Sequence, residues 1–188
     1  MRKILLLTTV VLIAGCGPLP EAQVPEPPKP EAPAVVFDID GTLTPDVTAF
    51  TEARPDAASV VQGYADKGYR IVYLSTRIRF LQSGIPAWLE KKGFPASSIH
   101  VAQTNSEYKN PASFKTRVMK DYQARGWRLM GGYGDSSTDF EAYANVGIPR
   151  TVVVALQRRS ESLCQPGQWQ KCIGGWAEHL AHTSQQRN

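Results

Sequence analysis

The stretch that decides the fold is AVVFDIDGTLTPD, residues 34–46, in which an apolar run ends in two aspartates. The apolar run predicts a buried strand, with Asp38 and Asp40 at its end. In a regular strand, residues i and i+2 share a face, so the two carboxylates would repel each other. A divalent cation relieves such repulsion, and Mg²⁺ prefers oxygen ligands together with water. The pair is therefore a metal site, a carboxylate nucleophile or a merely polar strand end.

Strands and helices alternate along the rest of the chain. Short apolar runs predict four further strands, at residues 69–75, 98–102, 128–134 and 150–156. Helical spacing of apolar residues predicts helices within residues 56–68, 84–93, 110–126 and 138–147. Such alternation is typical of α/β domains, in which helices flank a parallel, Rossmann-like sheet. Ligands of these sheets bind beyond the carboxyl ends of the strands.

Polar residues suited to a phosphate stand at those strand ends. Ser75 closes the second strand with a hydroxyl donor, and GDSSTD after the fourth strand supplies Asp135 and Asp139 as further metal ligands. Lys115 lies near a helix start, where its charge and the free N–H groups favour an anion. Taken singly, each is a turn former, a loop hydroxyl, a helix cap or a solvated lysine. Their occurrence together favours a phosphate site.

Four short motifs carry a resemblance to a known superfamily. DIDGTLT, a strand ending in YLS, a helical Lys115 and GDSSTD resemble, in this order, the motifs of the haloacid dehalogenase (HAD) superfamily. The resemblance implies a Mg²⁺-dependent phosphomonoester hydrolase that forms an aspartyl-phosphate. The roles that it implies are Asp38 as nucleophile and metal ligand, Asp40 as general acid/base and backbone-carbonyl metal ligand, Ser75 and Lys115 as phosphate-binding groups, and Asp135 with Asp139 around Mg²⁺.

Two more residues are candidates for binding the phosphate. Thr42 offers a hydroxyl and an amide beside the aspartates, and Arg77 can clamp a phosphate or headgroup through two hydrogen bonds. Arg79 has the same chemistry, but a surface arginine on a loop is an equal interpretation for it.

Longer segments resemble two lipid-related families. GYRIVYLSTR, GYGDSSTDFEAYANVGIP and the tail GGWAEHLAH are similar to the catalytic domain of lipin-type phosphatidate phosphatases and to the C-terminal domain of Nir-type phosphatidylinositol transfer proteins. Lipins have asparagine where this chain has Asp135, and Nir-type domains lack the nucleophile that Asp38 provides here. The resemblance implies phosphatidic acid or a related lipid phosphate as substrate. The alternatives are a non-catalytic phosphatidic-acid-binding module and a periplasmic phosphatase for soluble phosphomonoesters.

The gaps between the motifs leave no room for a cap domain. Residues 46–68 hold a loop and one helix, and residues 104–110 form a short connection. We therefore expect a capless domain with an open site. An open site suits a substrate that stays partly elsewhere, such as a phospholipid in a membrane.

The N-terminus has the layout of a lipoprotein signal. Residues 1–16, MRKILLLTTVVLIAGC, combine a cationic start, a short apolar run and a lipobox-like LIAGC, which predicts a lipid-anchored Cys16. A plain signal peptide or a membrane-anchoring helix is the alternative. Half of the 14 prolines fall between Pro18 and Pro33, so residues 17–33 are expected to form an extended linker to a domain over 34–188. Gly17 after the cysteine favours a bacterial envelope location at the outer membrane, facing the periplasm.

Composition argues against one class of binding partner, and the remaining cysteines predict a covalent cross-link. The excess of 21 Lys+Arg over 17 Asp+Glu is too small, and too concentrated at Arg2 and Lys3, to predict nucleic-acid binding. In an oxidising compartment Cys164 and Cys172 are expected to pair, with two free thiols as the alternative. Trp169 and Trp176 of the tail either pack on the core or lie at a lipid interface. The sequence does not indicate an oligomeric state.

Overall fold

A six-stranded, all-parallel sheet forms the centre of the computed structural model, which describes residues 17–180. The strand order is β3-β2-β1-β4-β5-β6. The strands are β1 Ala32–Asp38, β2 Arg70–Ser75, β3 Ser98–Val101, β4 Trp127–Gly134, β5 Val153–Leu156 and β6 Lys171–Ile173.

Within residues 17–180, five helices cover the two faces of this sheet. They are α1 Ala57–Asp66, α2 Ile85–Lys91, α3 Asn105–Lys109, α4 Pro111–Ala124 and α5 Ser137–Asn145, with 3₁₀ turns at Arg79–Leu81 and Arg150–Val152. The inner sides of α4 and α5 pack on one face, and α1, α2 and the tail residue Trp176 pack on the other. Because both faces are buried, the central strands are almost continuously apolar, as the sequence of β1 indicates.

The direction of winding reverses between β1 and β4. β1 lies between β2 and β4, with Asp38 paired to Leu74 in register and Phe37 paired to Tyr133. In open α/β sheets the crevice at such a switch point, beyond the carboxyl ends of the strands, is where ligands bind. The end of β1 therefore lies where the sequence predicts the site.

The predicted α/β fold is confirmed, and all five predicted strands are present. Two elements were missed. α3 has only five residues, too few for apolar periodicity, and a capping box between Thr104 and Glu107 begins it. β6 is a three-residue strand, too short for a periodic signal, in the tail after β5. The strand predicted at residue 150 begins at Val153 because a 3₁₀ turn follows Pro149.

The Pro-rich segment, predicted as an extended linker, lies against the domain. Val24 is buried in the core, the indole N–H of Trp127 donates to the Pro25 carbonyl at 2.7 Å, and β1 already begins at Ala32. An extended proline-rich backbone has no internal hydrogen bonds, so its carbonyls remain available to side chains of the domain. Residues 17–31 thus form a strap along the domain surface.

The tail after β5 is closed by an internal disulfide and packed on the core by a tryptophan. Cys164 and Cys172 form a disulfide, as expected. Trp176 is fully buried, and its indole N–H donates to the Thr42 carbonyl at 3.2 Å, so this residue packs the tail on the core. Trp169 is half-buried. Across residues 17–180 no helix has the length and apolarity needed to cross a bilayer; Cys16 lies outside the described residues.

Candidate active site

A buried ion-pair cluster lies at the end of β1. The ammonium group of Lys115 donates to Oδ1 of Asp38 at 2.5 Å and to Oδ1 of Asp139. The three side chains are 4%, 5% and 0% exposed for Lys115, Asp38 and Asp139. We call these three residues the inner cluster. The single ammonium group of Lys115 is thus paired with two carboxylates that are almost completely buried.

Burial and charge act in opposite directions on these groups. Burial raises the pKa of Asp38 well above its usual value, while the Lys115 ammonium opposes that rise and the neighbouring carboxylates add to it. Burial alone would lower the pKa of Lys115, but the carboxylates of Asp139 and Asp38 outweigh it and raise that pKa. Lys115 is therefore a permanent cation at the site.

Asp135 brings a third carboxylate to the same place from the loop after β4. Its Oδ1 accepts from the Thr42 hydroxyl at 3.1 Å, and its Oδ2 accepts from the Arg158 guanidinium. Burial raises the pKa of Asp135, and repulsion from Asp139 adds to the rise, which Arg158 opposes. A Cβ atom at Gly41 would lie 2.1 Å from Oδ2 of Asp135, so this position requires glycine, as does its φ of 94°.

The donor set fits a hard divalent cation. Carboxylate oxygens of Asp38, Asp135 and Asp139 lie within 4.8 Å of one another. These three negative charges face two cations, Lys115 and Arg158, which leaves a buried net negative charge. Among the described residues, Oδ2 of Asp38 is buried and has no hydrogen-bond partner. A buried oxygen without a partner is costly, and oxygen ligands of this kind are those that Mg²⁺ prefers.

Asp139 lies within this group but has both oxygens engaged by the chain. Its Oδ2 accepts from the backbone N–H of Asp135 at 3.1 Å and from the N–H and hydroxyl of Ser136, while Lys115 takes Oδ1. The same contacts form a capping box that begins α5. Asp139 therefore holds the Asp135 loop and Lys115 in place.

Asp40 belongs to a second cluster, which we call the mouth cluster, with Ser75 and Arg77. The Ser75 hydroxyl donates to Oδ2 of Asp40 at 2.6 Å, and Nε and Nη2 of Arg77 donate to Oδ1 at 3.0 and 2.6 Å. The guanidinium also lies 5.1 Å from the ring centre of Phe50. In this arrangement Ser75 and Arg77 bind Asp40, so their predicted contact with a phosphate needs a change of partner.

The two clusters share one open cavity of about 330 Å³. Asp38, Asp40 and Lys115 line its floor together with Asp135 and Arg158. Three apolar residues, Val47, Phe50 and Ile78, also line the cavity, beside polar side chains such as Thr76, Ser136 and Thr138. Every residue predicted for the phosphate and metal sites lies at this edge of the sheet, with the Asp40 carboxylate outside the group of three.

Three functional residues carried no recognisable signal in the sequence. Arg158 follows β5 and pairs with Asp135. Asp46 accepts from the backbone N–H of Ser160 at 2.9 Å and so joins the loop after β1 to the loop after β5. Arg54 lies buried beneath the same loop. A single arginine or aspartate outside a motif has no periodic neighbours, so only its position in the fold identifies it.

Arg54 fixes the loop that carries the aspartates. Its guanidinium donates to five backbone carbonyls, at distances between 2.6 and 3.3 Å; these belong to Gly41, Thr44, Pro45, Gln157 and Gly174. Burial lowers the pKa of this guanidinium, and the negative charges of Asp135 and Asp46 oppose that shift. Among the described residues, Arg54 thus holds the loop through backbone carbonyls and not through an ion pair with a carboxylate.

Known protein families match the region that holds these residues. Residues 35–156 match the family model described as the LNS2 domain of PITM 1–3. The chain is 27% identical over 152 residues to membrane-associated phosphatidylinositol transfer protein 3 of Mus musculus and 28% identical over 156 residues to protein retinal degeneration B of Drosophila melanogaster. The matches cover 78% and 81% of this chain but 15% and 12% of those proteins.

Solved structures share the fold. D,D-heptose 1,7-bisphosphate phosphatase from B. bronchiseptica, crystallised with magnesium and phosphate, superposes with a TM-score of 0.55 at 17% identity, over 81% of this chain and 99% of that one. A chain of the Pnkp1/Rnl/Hen1 RNA repair complex superposes with a TM-score of 0.58 at 15% identity, over 74% of this chain and 47% of that one. At these identities the similarity concerns the fold.

Proposed function

The chain belongs to the LNS2 domain family, and on that premise we propose that it is a Mg²⁺-dependent phosphomonoester hydrolase that works through an aspartyl-phosphate. The predicted HAD fold and its relation to the LNS2 and Nir-type domains are confirmed. One observation supports catalysis above the others: Asp38 is present, buried at the switch point, with a free oxygen facing a group of carboxylates.

Asp38, Asp135 and the predicted Asp40 backbone carbonyl would hold the Mg²⁺. When bound, the ion supplies charge that neutralises a phosphoryl oxygen beside these carboxylates. Lys115 supplies a fixed positive charge next to the nucleophile. Asp139 acts indirectly, by holding Lys115 and the Asp135 loop.

The proposed reaction has two steps. An oxygen of Asp38 attacks the phosphorus, the bond from phosphorus to the ester oxygen breaks, and Asp40 gives a proton to the leaving oxygen. Asp40 then takes a proton from a water molecule that attacks the same phosphorus. The bond to Asp38 breaks, which releases inorganic phosphate and restores both carboxyl groups. The position of Asp40 at the cavity supports its role in both steps.

The enzyme proposal is tested with the full chain purified in detergent, because residues 17–33 pack on the domain. We expect hydrolysis of a generic phosphomonoester with Mg²⁺, its loss in EDTA and its return with excess Mg²⁺. Asp38→Asn should lower kcat roughly 10⁴-fold or more. Asp66→Asn, an exposed aspartate on α1, is the matched control and should retain activity. If wild type and Asp38→Asn are equally inactive on a broad panel of phosphomonoesters, the proposed enzymatic activity is refuted.

The proposed substrate is phosphatidic acid or a related lipid phosphate. Support comes from the LNS2 family match, the open cavity and the relatives, which are named as phosphatidylinositol transfer proteins. The measurement compares kcat/KM for phosphatidic acid in mixed micelles with that for headgroup-only phosphates. Acyl chains contribute to kcat/KM only if the protein or its membrane uses them. A tenfold preference for soluble phosphates, about 1.4 kcal/mol, would favour a soluble substrate instead.

A second candidate is a phosphatidic-acid-binding module without turnover. The family match favours it, because the curated relatives are transfer proteins by name. Vesicle binding that survives Asp38→Asn, together with no phosphate release by wild type, would establish this alternative.

The location is a proposal that rests on the sequence. We propose a lipid anchor at Cys16 in a bacterial envelope, at the outer membrane. Cys16→Ser should abolish incorporation of labelled fatty acid and move the protein to a soluble envelope fraction. Unchanged membrane fractionation would contradict the anchor.

A further inference from the structure

The 3₁₀ turn after β2 exposes apolar side chains at the rim of the catalytic cavity. Phe80 is 61% exposed and Ile78 is 46% exposed, and Val47 across the cavity is 37% exposed. Ile78 and Val47 line the cavity itself. Arg79 between the two turn residues is also exposed. We call Val47, Ile78, Arg79 and Phe80 the rim patch.

The strap begins at the same turn. The backbone N–H of Ser83 donates to the Gly17 carbonyl at 3.1 Å, and the N–H of Gly17 donates to the Ser83 hydroxyl at 3.3 Å. The N–H of Leu19 donates to Oε1 of Gln82 at 3.2 Å, and the side chain of Gln103 donates to the Leu19 carbonyl. The first described residue, which follows Cys16 directly in the sequence, is thus held beside the rim patch.

Gln82 connects the strap to the mouth cluster. It is fully buried, and its amide N–H groups donate to the carbonyls of Arg77 at 3.0 Å and Ala102 at 2.9 Å. Arg77 in turn holds Asp40. A continuous chain of hydrogen bonds and one ion pair therefore links the strap to the turn that carries the rim patch and to the catalytic cavity.

We propose that the rim patch contacts the surface of a phospholipid bilayer, and that the strap fixes the membrane-attached end of the chain next to it, so that the cavity faces the lipid headgroups. The rim patch has the chemistry of an interfacial contact, since apolar side chains enter the headgroup boundary while an arginine binds lipid phosphates. The attachment rests on the proposed function, in which Cys16 is the anchor. The orientation rests on the described contacts.

Val152 provides a matched control position. It is 40% exposed, similar to Ile78, and it lies in the 3₁₀ turn that precedes β5. Because all strands of the sheet are parallel, the turn before β5 lies at the amino ends of the strands, whereas the catalytic cavity lies at their carboxyl ends. The proposal predicts that Val152 faces away from the bilayer.

The experiment places an environment-sensitive dye at each position. Phe80→Cys and Val152→Cys variants of the full chain are labelled, with labelled wild type as the blank for native thiols, and are reconstituted into vesicles that contain phosphatidylglycerol. A lipid that carries a spin-label quencher in its acyl chain then reports contact. We expect the fluorescence of the dye at position 80 to fall at least twofold. The dye at position 152 should lose less than a tenth of its fluorescence.

The outcomes separate this inference from the proposed function, because quenching needs no turnover. Equal quenching at both positions, or stronger quenching at 152, would overturn the proposed orientation even if the enzyme is active. Selective quenching at position 80 in a protein without phosphatase activity would support the proposed orientation and refute the proposed phosphatase function. Leu19→Asp should undock the strap and reduce the difference between the positions; an unchanged difference would overturn the part assigned to the strap.

Discussion

The inner cluster and the mouth cluster lie at one edge of the sheet, yet water reaches them differently. In the inner cluster no side chain is more than 5% exposed, and Lys115 serves two carboxylates. In the mouth cluster Asp40 is 14% exposed and has Arg77 as its own cation. The difference indicates a division of labour. Under the proposed function, the inner groups would hold fixed charges for the phosphoryl group, and the more exposed Asp40 would act as the general acid and base.

Lys115→Met breaks the inner cluster and should have the largest effect on stability. Two buried carboxylates lose their cation, so the free energy of unfolding should fall by about 3–5 kcal/mol, and kcat/KM should fall at least about 10³-fold. Urea denaturation and steady-state kinetics measure the two quantities. Lys120→Met, on the exposed side of the same helix, is the control. In the double variant with Asp38→Asn, stability should partly return while activity stays lost; no recovery of stability would contradict the ion-pair account.

Asp40→Asn alters the mouth cluster and should separate activity from stability. Loss of the proton carrier should lower kcat roughly 10²–10⁴-fold. The amide oxygen can still accept from Arg77 and the amide N–H can donate to the Ser75 hydroxyl, but the buried guanidinium loses its counter-charge. Because Asp40 is partly exposed, the free energy of unfolding should fall by about 1–3 kcal/mol, less than in Lys115→Met. Asp121→Asn on α4 serves as the control. A loss of stability as large as that of Lys115→Met would mean that the two clusters do not differ as described.

His100 extends the comparison to a buried group that has no carboxylate partner. Burial lowers its pKa from the usual 6.5 to about 4, and the positive charges of Arg117 and Arg70 add to the shift. Between these values the unfolded chain binds more protons than the folded chain, so stability falls as pH falls from about 6.5 to about 4. The full loss is about 3 kcal/mol.

The variant His100→Gln isolates this titration. Glutamine can still meet the Tyr122 hydroxyl, which lies 3.0 Å from Nε2 of His100, but it binds no proton. We expect the wild type to lose more stability than the variant over that pH range, as measured by urea denaturation at each pH. Parallel stability curves for the two proteins would show that His100 is not the titrating group.

Arg77→Lys should have the smallest effect. Lysine keeps the charge but replaces two guanidinium hydrogen bonds to Asp40 by one. We expect kcat/KM to fall about tenfold, close to 1.4 kcal/mol, with little change in stability. Arg79→Lys on the exposed neighbour is the matched control in a soluble-substrate assay. Equal effects of the two substitutions would argue against a specific role for the two hydrogen bonds from the Arg77 guanidinium to Asp40.

Sequence reasoning located the fold and the motif residues because their signals are local. The apolar run before Asp38 and the strand-helix alternation follow from burial, and Lys115 and Asp135 stand in recognisable motifs. Contacts between distant segments have no such signal. The path of the strap depends on the Pro25 carbonyl, which accepts from Trp127, and on the Leu19 N–H, which donates to Gln82. The pairing of Arg77 with Asp40 depends on side-chain geometry across 37 residues.

The five carbonyls that bind Arg54 have a consequence for the order of synthesis. Two of them, in Gln157 and Gly174, lie 103 and 120 residues after Arg54, and Trp176 reaches Thr42 across 134 residues. A nascent chain that ends at Leu156 already contains the whole family match and three of the five carbonyls, but it lacks the Gln157 and Gly174 carbonyls and Trp176, which hold the loop after β1 from outside. The loop after β1 can therefore gain its last two Arg54-mediated contacts, and its contact with Trp176, only after nearly the entire chain has been synthesised.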